Sequence, residues 1–290
     1  MPRVLPTLAA GAAVALAYGT MVEPKSFALR RFDVPILPPG SRPIRVLHLS
    51  DTHLTPRQRR KQSWIRQLAG LRADLVINTG DTLSAPNGIP AVMHSFEPLF
   101  TTPGVFVPGN NDYYEPRPKN PVRYFFPTYN RVHGPSLPWP EMAKAMTDAG
   151  WIDLTNRRTL LEICGLTFAL AGTDDPHLGR ARYGLIAGRV AADVRIGVTH
   201  SPEPSLLQCF ADDGYDLVLA GHTHGGQVRV PFGPAIVTNC GIDVWRARWL
   251  HRWDERMYFH VSAGLGSSPW APIRFASRPE ATLLTLIPRS

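Results

Sequence analysis

Five short apolar runs in this 290-residue chain end in the same way. Ile44 to Leu49 runs into Ser50-Asp51-Thr52-His53, and Asp74 to Asn78 into Thr79-Gly80-Asp81. Val105 to Val107 leads into Pro108-Gly109-Asn110-Asn111-Asp112, Val194 to Val198 into Thr199-His200, and Tyr215 to Ala220 into Gly221-His222-Thr223-His224-Gly225-Gly226. Apolar runs of this length, bounded by turn residues, read as buried strands. Each strand therefore delivers Asp, Asn or His at its C-terminal end. The small residues around the histidine pair let the backbone turn tightly and let a charged group approach both rings.

A single His-x-His also occurs on ordinary half-buried strands; repetition at five strand ends is what points to a metal site. Asp51 and His53 stand two residues apart, so in locally extended backbone both face one side and can share an ion. Asp51, His53, Asp81, Asn110, His200, His222 and His224 together provide two carboxylates, one amide oxygen and four imidazoles. That is too many donors for one cation. Two divalent ions sharing a bridging Asp81 use all seven, with Asp51, His53 and His224 on one and Asn110, His200 and His222 on the other. The surplus positive charge holds a phosphate and acidifies a bridging water from a bulk pKa of about 15.7 towards neutrality. Cys164, Cys209 and Cys240 form neither a disulfide framework nor a thiolate metal motif. Oxygen and imidazole donors suit Mn, Fe, Zn or Co.

The order Asp-x-His, Gly-Asp, Gly-Asn-x-Asp, a lone His and Gly-His-x-His resembles that of the calcineurin-like metallophosphoesterases, from about Ile44 to the C-terminus. The resemblance implies an α/β fold, a four-layer αββα sandwich with two mixed β-sheets, and a dinuclear metal site at the strand C-terminal ends. It further implies hydrolysis of a phosphate ester by in-line attack of a metal-bound hydroxide. The pattern departs at Asn111, where the family usually has a histidine that assists the leaving oxygen, with an acid near Asp112 to orient it. An amide donates a hydrogen bond but delivers no proton at pH 7. The chain is thus expected either to act on a substrate with a good leaving group, a phosphoanhydride or activated diester, or to substitute His177, His94 or His133. The apolar N-terminus, the Gly221 to Gln227 run and the Gly264 to Glu280 ending are similar to membrane-associated bacterial phosphoesterases related to UDP-diacylglucosamine pyrophosphatases. That similarity favours a lipid-linked or nucleotide-linked substrate and makes Arg274 a candidate phosphate contact, or else a brace for its loop.

The rest of the chain is read around this centre. An excess of 31 Lys and Arg over 23 Asp and Glu, a net charge of +8, favours anionic partners: phosphate esters, an acidic membrane surface or nucleic acid. Nucleic acid is disfavoured, because no interleaved basic and stacking segments supply a strand-tracking groove. Residues 1–22 contain an uncharged 18-residue stretch, Val4 to Met21, suited to a signal peptide or membrane anchor, with a surface-packed helix as the alternative. Membrane association is the expectation, and residues 23–290 form the catalytic domain. Arg57, Arg59, Arg60 and Lys61 open a helix reaching about Gly70, as a solvated face or an attractive patch. Seven prolines and many aromatics between Glu115 and Pro140 exclude regular structure and suggest a lid or a surface loop. Trp245, Trp249 and Trp253 recur every four residues, as if on one helical face, packing the core or meeting a membrane. Two other readings are a non-catalytic binding module on the same fold and a nuclease.

Overall fold

Apolar periodicity in this chain resolves into two six-stranded sheets, one built on the first three runs and the other on the last two. The computed structural model describes residues 4–118 and 133–289. In the first sheet, β1 (Ala28–Leu37), β2 (Ile44–Leu49), β3 (Leu75–Asn78), β4 (Gly104–Phe106), β5 (Ile152–Asp153) and a late strand, β12 (Glu280–Pro288), lie in the order β1-β12-β2-β3-β4-β5. Strands β2 to β5 run parallel; β12 is antiparallel to β2 and parallel to β1. The second sheet holds β6 (Arg157–Ile163), β7 (Leu166–Gly172), β8 (Val194–Val198), β9 (Leu217–Ala220), β10 (Trp249–Arg252) and β11 (Tyr258–Val261), ordered β10-β11-β9-β8-β7-β6. Its four central strands are parallel and the two outer ones antiparallel.

Alternation along each strand sorts side chains into layers, because successive residues point to opposite faces. Ile44 and Val46 of β2, with Leu75 and Ile77 of β3, meet Phe168, Leu170, Ile196 and Leu219 from the opposite sheet in a dry inter-sheet core. The outward residues of the first sheet, Leu47, Val76 and Phe106 among them, pack under α2 (Arg59–Gln67), α3 (Ile89–Phe96) and α5 (Trp139–Asp148), the numbering leaving α1 (Val4–Ala17) and α4 (Asn110–Tyr113) for the N-terminus and a short turn. Ala171, Val218 and Phe259 of the second sheet pack under α6 (Pro204–Asp212). The result is the expected αββα sandwich with two mixed sheets.

Three expectations fare differently. Of the 115–140 insert, Tyr124, Phe125, Phe126 and Tyr129 and two of the seven prolines, Pro121 and Pro127, fall on residues 119–132, outside the described residues. No helix carries the tryptophan stripe: Trp249 begins β10 with a left-handed φ of 78°, while Trp245 precedes the strand and Trp253 follows it. Aromatic and arginine side chains here stack instead, with Arg248 over the Trp249 ring at 4.0 Å. The N-terminal stretch is helical, α1 continuing into a π-helical turn Tyr18–Val22, and among the described residues no helix is long and apolar enough to cross a membrane.

Candidate metal centre

Parallel strands bring the C-terminal ends of β2, β3, β4, β8 and β9 to one rim of the sandwich. The loops leaving them turn sharply: Asp51, His53, Asp81, His222 and His224 all have φ between 43° and 67°. Left-handed backbone is disfavoured for such residues, and this concentration of it marks a site whose geometry outranks local preference. Glycine makes the crowding feasible. A Cβ on Gly221 would strike Ser50 and Asp51, and one on Gly109 would strike Asp81 and His200.

Asp51, His53, Asp81 and His224 each place one donor atom within 4.8 Å of all the others. His53 Nε2 lies 3.6 Å from Asp81 Oδ2, and His224 Nε2 lies 3.7 Å from Asp51 Oδ1. The other half of the cluster adjoins: His200 Nε2 is 3.5 Å from Asp81 Oδ2 and 3.2 Å from His222 Nδ1. Asp81 thus stands between the two groups. Asn110 opens the α4 turn beside them, and the next residue, Asn111, donates from its backbone N–H to Asp81 Oδ1 (2.7 Å) and from its amide to Asp81 Oδ2 (2.6 Å).

The imidazoles are aimed from behind. His200 Nδ1 donates to the Thr79 carbonyl (2.8 Å) and His224 Nδ1 to the Gly266 carbonyl (3.0 Å). A carbonyl only accepts, so each ring holds its proton on Nδ1 and presents Nε2 to the cluster. His53 Nδ1 meets Ser84 Oγ at 3.0 Å, and its buried Nε2 has no hydrogen-bond partner. Electron-rich nitrogen and carboxylate oxygen atoms therefore converge in a buried space, an arrangement that repels itself unless a cation lies within it. Donors at 2.0–2.2 Å from one cation lie up to about 4.4 Å apart, so the four-residue group, spread over 4.8 Å, is close to the spacing that could hold one. Titration reflects the same crowding. Burial lowers the His53 pKa to about 4 and, only partly offset by His200, raises Asp51 to about 6. Burial would raise Asp81 as well, but His200, His53 and the Asn111 amide together outweigh it and hold Asp81 below the usual carboxylate range.

Other site expectations separate. His177 reaches the cluster, its ring centroid 4.3 Å from that of His222. His133 stacks on Tyr114 at 4.6 Å, and His94 is exposed on α3, in the outer helix layer. Asp112 does not orient a side chain at position 111: its Oδ1 accepts from the Thr82 and Leu83 N–H groups (2.8 and 2.9 Å) and its Oδ2 from Gly109 N–H (2.9 Å). That carboxylate clamps the β3 loop to the β4 loop. Of the two roles expected for Arg274, its bonds are those of the brace. It is fully buried and donates from Nη1 to Ser277 O, from Nη2 to the carbonyls of Ala263, Gly264 and Gly266, and from Nε to Ser267 Oγ. The Gly266 carbonyl it holds is the one that orients His224.

Lys61 departs from both readings of its basic run, a solvated helix face and an attractive patch: it is buried and donates to the Thr52 carbonyl, between Asp51 and His53 (2.7 Å). Its helical spacing to the buried Ile65 and Leu68 was the available signal. Burial, with Arg274 second, lowers its pKa to about 7. The unfolded chain, with a lysine pKa of about 10.4, then binds more protons than the folded one between pH 7 and 10, so stability rises with pH there. Lys61→Met should flatten that rise, measured as Tm against pH on metal-free protein; an unchanged slope would show Lys61 to be charged and compensated.

Against known sequences, residues 44–226 match the calcineurin-like phosphoesterase family. The chain is 31% identical to the uncharacterised Bacillus subtilis protein YpbG over 97% of its own length and 94% of that protein. It is 30% identical to the Escherichia coli phosphodiesterase YaeI over 50% of this chain and 51% of that one. Among solved structures, an archaeal phosphodiesterase aligns with 76% of this chain and 84% of its own at 17% identity and a TM-score of 0.39.

Proposed function

Because the chain belongs to the calcineurin-like phosphoesterases, metal-dependent hydrolases of phosphate esters, we propose that it cleaves a phosphodiester or pyrophosphate with an activated leaving group, on a lipid-linked or nucleotide-linked substrate, at a centre of two divalent ions. The observation that carries this reading is the position of Asp81 between the groups led by His53 and by His200, at 3.6 and 3.5 Å. Asp51, His53 and His224 would hold one ion, and Asn110, His200 and His222 the other, with Asp81 common to both. When bound, such ions supply Lewis acidity towards phosphoryl oxygens and a water of lowered pKa.

The chain's own residues do the positioning. The Asn111 amide, tied to Asp81 Oδ2, keeps the carboxylate turned towards the centre. It carries no proton for the departing oxygen, which is why an activated leaving group fits. His177, against His222, borders the space from the side of the second group and is the substrate-facing imidazole in this reading. A non-catalytic module does not need seven donors retained together with the two backbone-oriented rings, His200 and His224, among them.

The test loads the purified chain with Mn, Fe, Zn or Co and compares hydrolysis of an aryl phosphodiester with that of an alkyl one. We expect near two metal ions per chain and strong preference for the aryl ester. Asn111→His is expected to raise alkyl turnover about a hundredfold, the size of general-acid help, while aryl turnover changes little. An unchanged aryl-to-alkyl ratio would count against the leaving-group reading, and metal binding without hydrolysis would favour the binding module.

A further inference from the structure

Large exposed apolar side chains are scattered singly on most soluble surfaces. Twelve are exposed among the described residues here, and all but Leu160 and Leu185 fall on three segments: residues 14–22, residues 230–245 and Trp270. Backbone bonds join these segments into one surface. Arg274 N–H donates to Gly19 O (2.8 Å), Phe275 N–H to Gln227 O (3.0 Å), Arg229 N–H to Phe275 O (2.9 Å) and Ala235 N–H to Val244 O (3.1 Å). Tyr18 meets the Phe275 ring edge-on at 6.3 Å. The surface borders the metal centre, since Gln227 N–H donates to His224 O (3.0 Å).

Its shape and chemistry say what it meets. From Val4 to Val22 no residue is charged, and between Gly11 and Tyr18 every residue but Ala15 is exposed. Phe232, at the tip of the 228–236 turn, is fully exposed, and Trp245 and Trp270 are 60% and 57% exposed. These are separate projections rather than a flat, complementary face, which suits a fluid apolar medium better than a second folded surface. Lys25, Arg246 and Arg278 lie along or beside these segments; of the acidic groups there, Asp243 is exposed and Glu23 is buried against the Ala276 and Ser277 N–H groups, and the chain carries +8 overall. Tryptophans at the margin, an uncharged helix and surrounding basic groups are the composition of an interfacial membrane contact. The stretch is tied back to the body of the protein through Gly19 O, and among the described residues no helix is long and apolar enough to cross a membrane; an uncharged helix held at the protein surface in this way suits a contact that lies along the interface.

We propose that this rim docks on the surface of an anionic phospholipid bilayer, holding the mouth of the metal centre against the headgroups. The proposal stands on the surface alone and does not depend on the chemistry assigned to the centre. It is tested by flotation of the full chain with phosphatidylcholine vesicles, with and without phosphatidylglycerol. The wild type should float with the anionic vesicles. Phe232→Asp and Trp245→Asp should each lower the bound fraction about tenfold or more, as expected when a buried aromatic contact is lost. Leu160→Asp and Leu185→Asp, on the remote faces, should leave it unchanged. Absence of wild-type binding, equal losses in the remote variants, or concentration-dependent self-association abolished by Phe232→Asp without any vesicle binding would each overturn the proposal. Hydrolysis of a soluble aryl diester is read in parallel. If it is absent while vesicle binding holds, the catalytic reading fails and the docking surface remains.

Discussion

Asp81→Ala is expected to lower turnover of an aryl phosphodiester about a thousandfold, with metal content falling to one ion per chain or fewer. The Asp81 carboxylate lies against a ring from each group of imidazoles, at 3.6 Å from His53 Nε2 and 3.5 Å from His200 Nε2. Removing it separates the two halves of the cluster. The loss of several kcal/mol of charge stabilisation in the transition state corresponds to that factor. The variant should still fold, because the Asp81 side chain bonds only to site groups while β3 and β4 are held by apolar packing on both faces. Turnover within tenfold of wild type, measured with metal content and a melting curve on the same sample, would contradict a shared carboxylate.

Arg274→Met should act through a different route, on the scaffold before the chemistry. Its guanidinium ties together the carbonyls of Ala263, Gly264, Gly266 and Ser277 in a space with no solvent access. Leaving several buried carbonyls without donors costs about 3–5 kcal/mol in all, at 1–3 kcal/mol each with partial relaxation. Burial has already pulled the Arg274 pKa down to about 10, still far above neutrality, so the charge is present at pH 7. Metal affinity should fall about 10- to 100-fold, because the Gly266 carbonyl no longer fixes His224. The KM for a phosphodiester, measured at saturating metal, should stay near the wild-type value. A selective rise in KM with unchanged stability would restore Arg274 as a phosphate contact.

How far the sequence reached depended on how local each cause is. Strand runs such as Ile44 to Leu49 and Val194 to Val198 declare themselves, since apolar content and bounding turn residues are written in contiguous positions. The Asp51, His53, Asp81 and His224 set was legible for the same reason: donors at strand ends share one rim wherever the strands are parallel. Features set by distant packing were not. Asp112 and Arg274 carry charges that fit a phosphate site on paper, and only the loops from β3 and β11 around them reveal that backbone groups claim both. Lys61 sits among exposed arginines in the sequence, yet helical phase turns it inward. The tryptophan spacing of four suggested a helix, but pairing of β10 with β11 overrode it, as tertiary context commonly does for short segments. Nothing in residues 228–245 alone announces a surface, because its continuity runs through hydrogen bonds to residues 271–276.

The two sheets meet across a dry apolar core, yet each contributes only part of the cluster. Loops of the first supply Asp51, His53 and Asp81; loops of the second supply His200, His222 and His224. An ion held by Asp51, His53 and His224 would therefore be a rivet through the seam of the sandwich. Whatever favours its capture also resists the parting of the halves. Scarcity of the metal in the cell would then be felt twice, first as idle enzyme and then as a protein that comes apart more readily.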